Sequence, residues 1–249
     1  MQSRRMDGPV PRAGTQQGHD PCVIRDLRVC FVGDSFVAGT GDPLCLGWAG
    51  RLAARTYTDG QPVTAYNLGV RRQTSSDILA RWQYECTQRL QDCDDPRVVL
   101  SFGVNDTALE EGRPRVAPDE SSANLSQILR RSADRGWPAL VIAPPPVDDE
   151  DQNARIALLG ERFARVCSEA RVPYVPVHQR LRSSAVWRTE VRAGDGAHPG
   201  AGGYDEIAAL IAPHWRDWLR TLPRVHEEAP ARGEGAAAAF HTDRKRTGL

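Results

Sequence analysis

Lysine is almost missing from this chain. Lys245 is the one lysine among 32 basic residues, the rest are arginine, and 32 acidic residues balance them to a formal net charge of zero. Such a balance gives no global attraction to nucleic acid or to an anionic membrane. Long apolar runs are missing too. Nothing approaches the ~18 consecutive apolar residues of a spanning helix, and mean hydropathy is −0.48. Residues 1–27 carry Arg4, Arg5 and Arg12 among Gly, Pro and Gln without the apolar stretch of a secretory signal, so the expected location is cytoplasmic. Paired cysteines are absent as well. Cys22, Cys30, Cys45, Cys86, Cys93 and Cys167 are scattered and read as small core residues, not as disulfide partners or zinc ligands. No His, Cys or carboxylate cluster has metal-ligand spacing, so no metal is expected. Gly39-Thr40-Gly41 is only a fragment of a dinucleotide fingerprint, and no phosphate-binding G-x-x-x-x-G-K-[ST] occurs, so no cofactor is expected either.

What is present fits one α/β domain. With 249 residues and 40% hydrophobic side chains the chain can bury an ordinary core. Composition predicts disordered segments at 1–27 and 221–249, rich in Gly, Pro, Gln or Ala, leaving a folded domain over 28–220. Within it, apolar runs at Arg28–Val32, Val63–Asn67, Val98–Phe102, Ala139–Ala143 and Tyr174–Val177 read as buried strands. Stretches with helical spacing separate them, such as Ile78, Leu79 and Trp82, or Ile156, Leu159 and Phe163. Alternating β and α elements call for parallel strands joined by crossovers. The predicted architecture is a three-layer α/β/α fold, flavodoxin-like, with a five-stranded parallel sheet. Its sites should lie beyond the carboxyl ends of the strands.

Four segments fall there. Gly33-Asp34-Ser35-Phe36 follows the first strand and places a hydroxyl at the sheet edge, although Asp34 or Ser35 in such a turn also serves as a helix cap. Asn67-Leu68-Gly69 follows the second, with a glycine able to lend a backbone N–H. After the third comes Gly103-Val104-Asn105-Asp106, whose amide offers two donors. Near the end, Asp195-Gly196-Ala197-His198-Pro199 sets a carboxylate three residues before an imidazole.

Together these segments resemble the SGNH, or GDSL, hydrolase superfamily of serine esterases and lipases, over roughly residues 28–220. The resemblance implies that Ser35 is the nucleophile, that Asp195 and His198 are its acid and base, and that Ser35, Gly69 and Asn105 form the oxyanion hole. The chemistry agrees with those residue types. A serine hydroxyl needs a neighbouring base to attack a carbonyl. An imidazole oriented by a carboxylate supplies one and later returns the proton to the leaving group. No G-x-S-x-G surrounds any serine, which excludes the nucleophile elbow of the other large α/β esterase fold.

The expected activity is that of a serine ester hydrolase acting on a small or medium acyl ester or thioester through an acyl-enzyme, without nucleic acid or an integral membrane association. Two alternatives share the residues: a binding module that holds the ligand without turnover, and an acyltransferase. Arg71 and Arg72 follow the Gly69 turn, where one would meet an anionic part of the substrate or else bridge to Asp77 or Asp106. Trp48 and Trp187 are candidate pocket walls, with core packing as the other reading. Asp34 and Asp106 are assigned to holding loops. His178 and His214 read as structural, and His19, His226 and His241 fall in the terminal segments.

Overall fold

The structure is a computed structural model that describes residues 25–221. The predicted disorder at the two ends therefore falls almost wholly outside the described residues. In chain order the elements are β1 (Leu27–Gly33), α1 (Ser35–Ala38), α2 (Gly47–Thr58), β2 (Thr64–Gly69), α3 (Ser75–Leu90), β3 (Asp95–Ser101), α4 (Val104–Thr107), β4 (Leu109–Glu110), β5 (Arg113–Pro114), α5 (Pro118–Asp134), β6 (Ala139–Ile142), α6 (Glu150–Ala170), β7 (Tyr174–Val175), α7 (His178–Ser183), α8 (Ala185–Ala193) and α9 (Ala201–Arg220). Five strands pair in parallel in the order β2-β1-β3-β6-β7, while β4 and β5 form a short antiparallel hairpin. This is the flavodoxin-like order expected from the sequence, and its switch point lies between β1 and β3.

The alternation along β1 builds both layers. Leu27, Val29 and Phe31 face one core with Trp48 and Leu52 of α2 and with Ile207, Ile211 and Trp215 of α9. Cys30 and Val32 face the other, against Ile78 and Trp82 of α3, Leu125 and Ile128 of α5 and Phe163 of α6. One expectation needs correction. The second run is an edge strand, not a buried one, since Thr64, Ala65 and Asn67 are exposed. Its polar residues fit a position with a single neighbour.

Cysteines follow the core only in part. Cys30, Cys86 and Cys167 are buried, Cys93 is half-buried, and Cys45 is exposed on the loop before α2. At the amino end of β3 the buried Arg97 guanidinium pairs with Asp95 (2.8 Å) and donates to the carbonyls of Trp218, Leu219 and Thr221. A buried cation is tolerated only when its donors are satisfied in this way. The bonds pin the carboxyl end of α9, the helix whose other end follows the Asp195–His198 loop.

Candidate active site

Ser35 opens α1 directly after β1. The Asp34 carboxylate caps that short helix by accepting the Phe36 N–H (3.0 Å), which fixes the turn carrying the hydroxyl. His198 reaches the same point from the far end of the chain. Its Nε2 lies 2.7 Å from Ser35 Oγ, and its Nδ1 lies 2.7 Å from Asp195 Oδ2. Asp195 also organises its own loop, its Oδ1 accepting the N–H groups of Ala197 (3.0 Å) and His198 (2.9 Å). Its partial burial would raise the carboxyl pKa, but those N–H groups and the His198 ring outweigh it and hold the group at about 2. The carboxylate is thus ionised throughout the neutral range.

The loop is fastened on both sides. Glu190 of α8 accepts the N–H groups of Gly202 (3.1 Å) and Gly203 (2.7 Å) at the start of α9, supplying that helix with a cap from outside it. Asp148 N–H bonds the Gly196 carbonyl (2.8 Å), and Tyr204 Oη donates to the Thr40 carbonyl (2.8 Å). Sequence reasoning missed Glu190, because the pairing of α8 with α9 is a tertiary contact. The His198 ring rests on Phe36 (centroids 4.8 Å apart), and Phe36 stacks on Trp187 (6.4 Å).

That stack corrects the pocket walls. Trp187 is fully buried with its indole N–H on the Pro146 carbonyl (3.1 Å), and through Phe36 it backs the His198 ring from inside. Trp48 is also fully buried, edge-on to Phe31 in the core. Neither lines an open pocket, since each occupies the inward face of its helix.

Asn105, on α4 after β3, points its Nδ2 at the Gln73 carbonyl (3.0 Å) and, at longer range, at Asp34 Oδ2 (3.4 Å). It therefore joins the Asp34-Ser35 turn to the loop after β2. Gly69 ends β2 and lies close to α1. Its N–H is donated to Asn67 Oδ1 (3.0 Å), and a Cβ there would lie 2.2 Å from the Ala38 nitrogen. The close approach of β2 to α1 alone requires a glycine at this point. Asp106 is buried and holds two neighbours, accepting the Ser75 N–H (2.7 Å) and the Ser121 hydroxyl (2.7 Å). Among the described residues no group of three or more His, Cys, Asp or Glu is placed to hold a metal, and no helix is long and apolar enough to cross a membrane.

Residues 31–206 match the GDSL-like Lipase/Acylhydrolase family. The chain belongs to that family, and so to the carboxylic ester hydrolases. Similar solved structures include a lipase/acylhydrolase from Enterococcus faecalis, 21% identical with a TM-score of 0.65, covering 80% of this chain and 99% of that one. LAE5, an α/β hydrolase enzyme from the metagenome of Lake Arreo, is 21% identical with a TM-score of 0.61 and coverages of 76% and 94%. Axe2, an acetylxylan esterase from Geobacillus stearothermophilus, is 17% identical with a TM-score of 0.61 and coverages of 80% and 96%. Catalytic mutants of Axe2 replace one serine and one histidine by alanine. A search of curated proteins finds no match to the chain.

In this GDSL hydrolase Asp34, beside the candidate site, has a strongly perturbed carboxyl. Complete burial pushes its carboxyl up to about 7, with the nearby Asp106 adding to the shift and the Phe36 N–H opposing it.

Proposed function

We propose that this GDSL hydrolase cleaves small or medium acyl esters or thioesters through a Ser35-His198-Asp195 triad. The observation that carries the reading is the unbroken chain of two 2.7 Å contacts from Asp195 through His198 to Ser35. Both lie in the range of about 2.6–3.2 Å that proton transfer needs. With Nδ1–H donated to Asp195, Nε2 is the unprotonated nitrogen facing the hydroxyl.

The steps follow from that tautomer. Ser35 Oγ bonds to the acyl carbon as its proton passes to Nε2. The tetrahedral intermediate places negative charge on the former carbonyl oxygen, for which the Ser35 N–H and the Asn105 amide are the donors this reading favours. The Gly69 N–H is the third donor of this reading; it would turn from Asn67, as the Asn105 amide would turn from its longer contact with Asp34 (3.4 Å). Collapse breaks the bond to the alcohol or thiol, which takes the proton from His198. Water then adds to the acyl-enzyme with His198 again as base, the acid departs, and Ser35 recovers its proton. Asp195 stabilises the imidazolium in both halves.

The test is covalent labelling by a fluorophosphonate, together with hydrolysis of p-nitrophenyl esters of graded acyl length. Wild type should be labelled and active, and Ser35→Ala should be neither. Folded wild type that is neither labelled nor active would mark the domain as a binding module instead.

A further inference from the structure

The loop after β2 is anchored at both ends to the reaction centre. At its start the Val70 N–H bonds the Gly33 carbonyl (3.0 Å), two residues before Ser35. At its end the Gln73 carbonyl takes the Asn105 amide (3.0 Å). Between the anchors stand Arg71 and Arg72, both exposed. Two guanidinium groups thus leave the chain on the segment that bridges the nucleophile turn and Asn105.

The neighbouring acids are engaged elsewhere. Asp77 accepts the Thr74 N–H (2.9 Å) and hydroxyl (2.8 Å). Asp106 is buried under Ser75 and Ser121. Glu110 pairs with Arg115 (2.9 Å) and Glu85 with Arg81 (2.7 Å). The alternative bridge from Arg71 or Arg72 to Asp77 or Asp106 does not form among the described residues. Among the described residues Arg71 and Arg72 make no ion pair, so two positive charges stand uncompensated on the segment between the Val70 and Gln73 anchors.

Arg72 also holds a backbone conformation that suits glycine, with φ +66°. Arg115 clamps it there by donating Nη1 to the Arg72 carbonyl (2.9 Å).

We propose that Arg71 and Arg72 form an anion subsite, and that the ester cleaved at Ser35 carries a phosphate, sulfate or carboxylate group a few bonds from the scissile carbonyl. The inference rests on the hydrolase reading above. Guanidinium groups suit such an anion because their planar N–H forks match its oxygens in pairs.

Matched substrates test it on the full chain. p-Nitrophenyl hexanoate against mono-p-nitrophenyl adipate places the charge on the acyl side, and phenyl acetate against 3-acetoxybenzoate places it on the alcohol side. In one pair kcat/KM for the charged member should exceed that of its neutral partner by roughly ten- to a hundredfold. That ratio should shrink at about 0.5 M salt and fall towards one in Arg71→Gln/Arg72→Gln. The pair showing the preference identifies the side that bears the anion. Arg71→Gln alone, and Arg72→Gly, which fits the left-handed backbone, keep the question answerable if the double variant does not fold. Equal rates within both pairs, or a preference that survives the substitutions, would overturn the subsite and leave the esterase intact. Absence of Ser35-dependent turnover on every ester would instead overturn the reading beneath it.

Discussion

Gly41 packs directly against the His198 loop: a Cβ on Gly41 would stand 3.3 Å from the His198 Cβ and 2.8 Å from the Pro199 carbonyl oxygen. The loop before α2 is thus in close contact with the segment that carries the imidazole to Ser35. Gly41 also has φ +87°, where a side chain costs about 1–2 kcal/mol. Gly41→Ala should displace the His198 loop, and a shift of about 1 Å at a reacting group is enough to lower kcat roughly a hundredfold. Fluorophosphonate labelling should slow in proportion, with only a modest fall in Tm. Wild-type kcat in a folded Gly41→Ala protein would show that this contact does not position the base.

Asn105→Ala tests the oxyanion role proposed for the amide. Removing one such donor costs about 2.7–4 kcal/mol of transition-state stabilisation, so kcat should fall by about two to three orders of magnitude. KM should move little, because the bond strengthens as the charge develops. The same substitution frees the Gln73 carbonyl, and a crystal structure of the variant would show whether the 70–73 loop shifts. A raised KM with unchanged kcat would assign Asn105 to substrate binding instead.

The fold was largely legible, and the site partly so, for physical reasons that separate cleanly. Apolar runs mark strands because both faces of an inner strand must be buried, and all five appear within a few residues of their expected places. That rule misjudged β2, whose edge position leaves Thr64 and Asn67 exposed while alternate residues still pack. The hairpin of β4 and β5 has two-residue strands, too short for any period to register. Trp48 and Trp187 illustrate a different failure. Spacing tells that a helix has an inner face, yet it does not say whether a bulky residue there meets core or cleft. Glu190 and Gly41 were invisible because their roles lie in contacts with residues distant in the sequence.

Asp195→Asn tests the orienting role proposed for this carboxylate. The amide keeps the shape, but it no longer stabilises the imidazolium and can leave the wrong nitrogen of His198 protonated. A fall in kcat of about three to four orders of magnitude is expected near neutral pH. Asp195 is held at about 2 and stays ionised in the wild type, so its own titration should leave no limb in the kcat profile above about pH 4. A variant within tenfold of wild type would remove Asp195 from the triad.

Asp34 should leave its mark on stability. Its carboxyl ionises near 3.8 in the unfolded chain and is pushed up to about 7 by burial in the folded one. Between those values the native state holds a proton that the unfolded state has lost. The contribution is therefore fully present below pH 3.8 and declines as pH rises, the loss being complete above about 7. The slope approaches about 1.4 kcal/mol per pH unit inside that window. Asp34→Asn retains a side-chain oxygen for the Phe36 N–H and abolishes the titration. Urea midpoints of both proteins between about pH 4 and pH 8 give the comparison. The wild-type value should drop relative to the variant as pH rises. Because Asp106 is present in both, its own titration largely cancels in the difference. Parallel curves for the two proteins would mean that Asp34 is already ionised at low pH, stabilised by Asn105 and the α1 amides despite its burial.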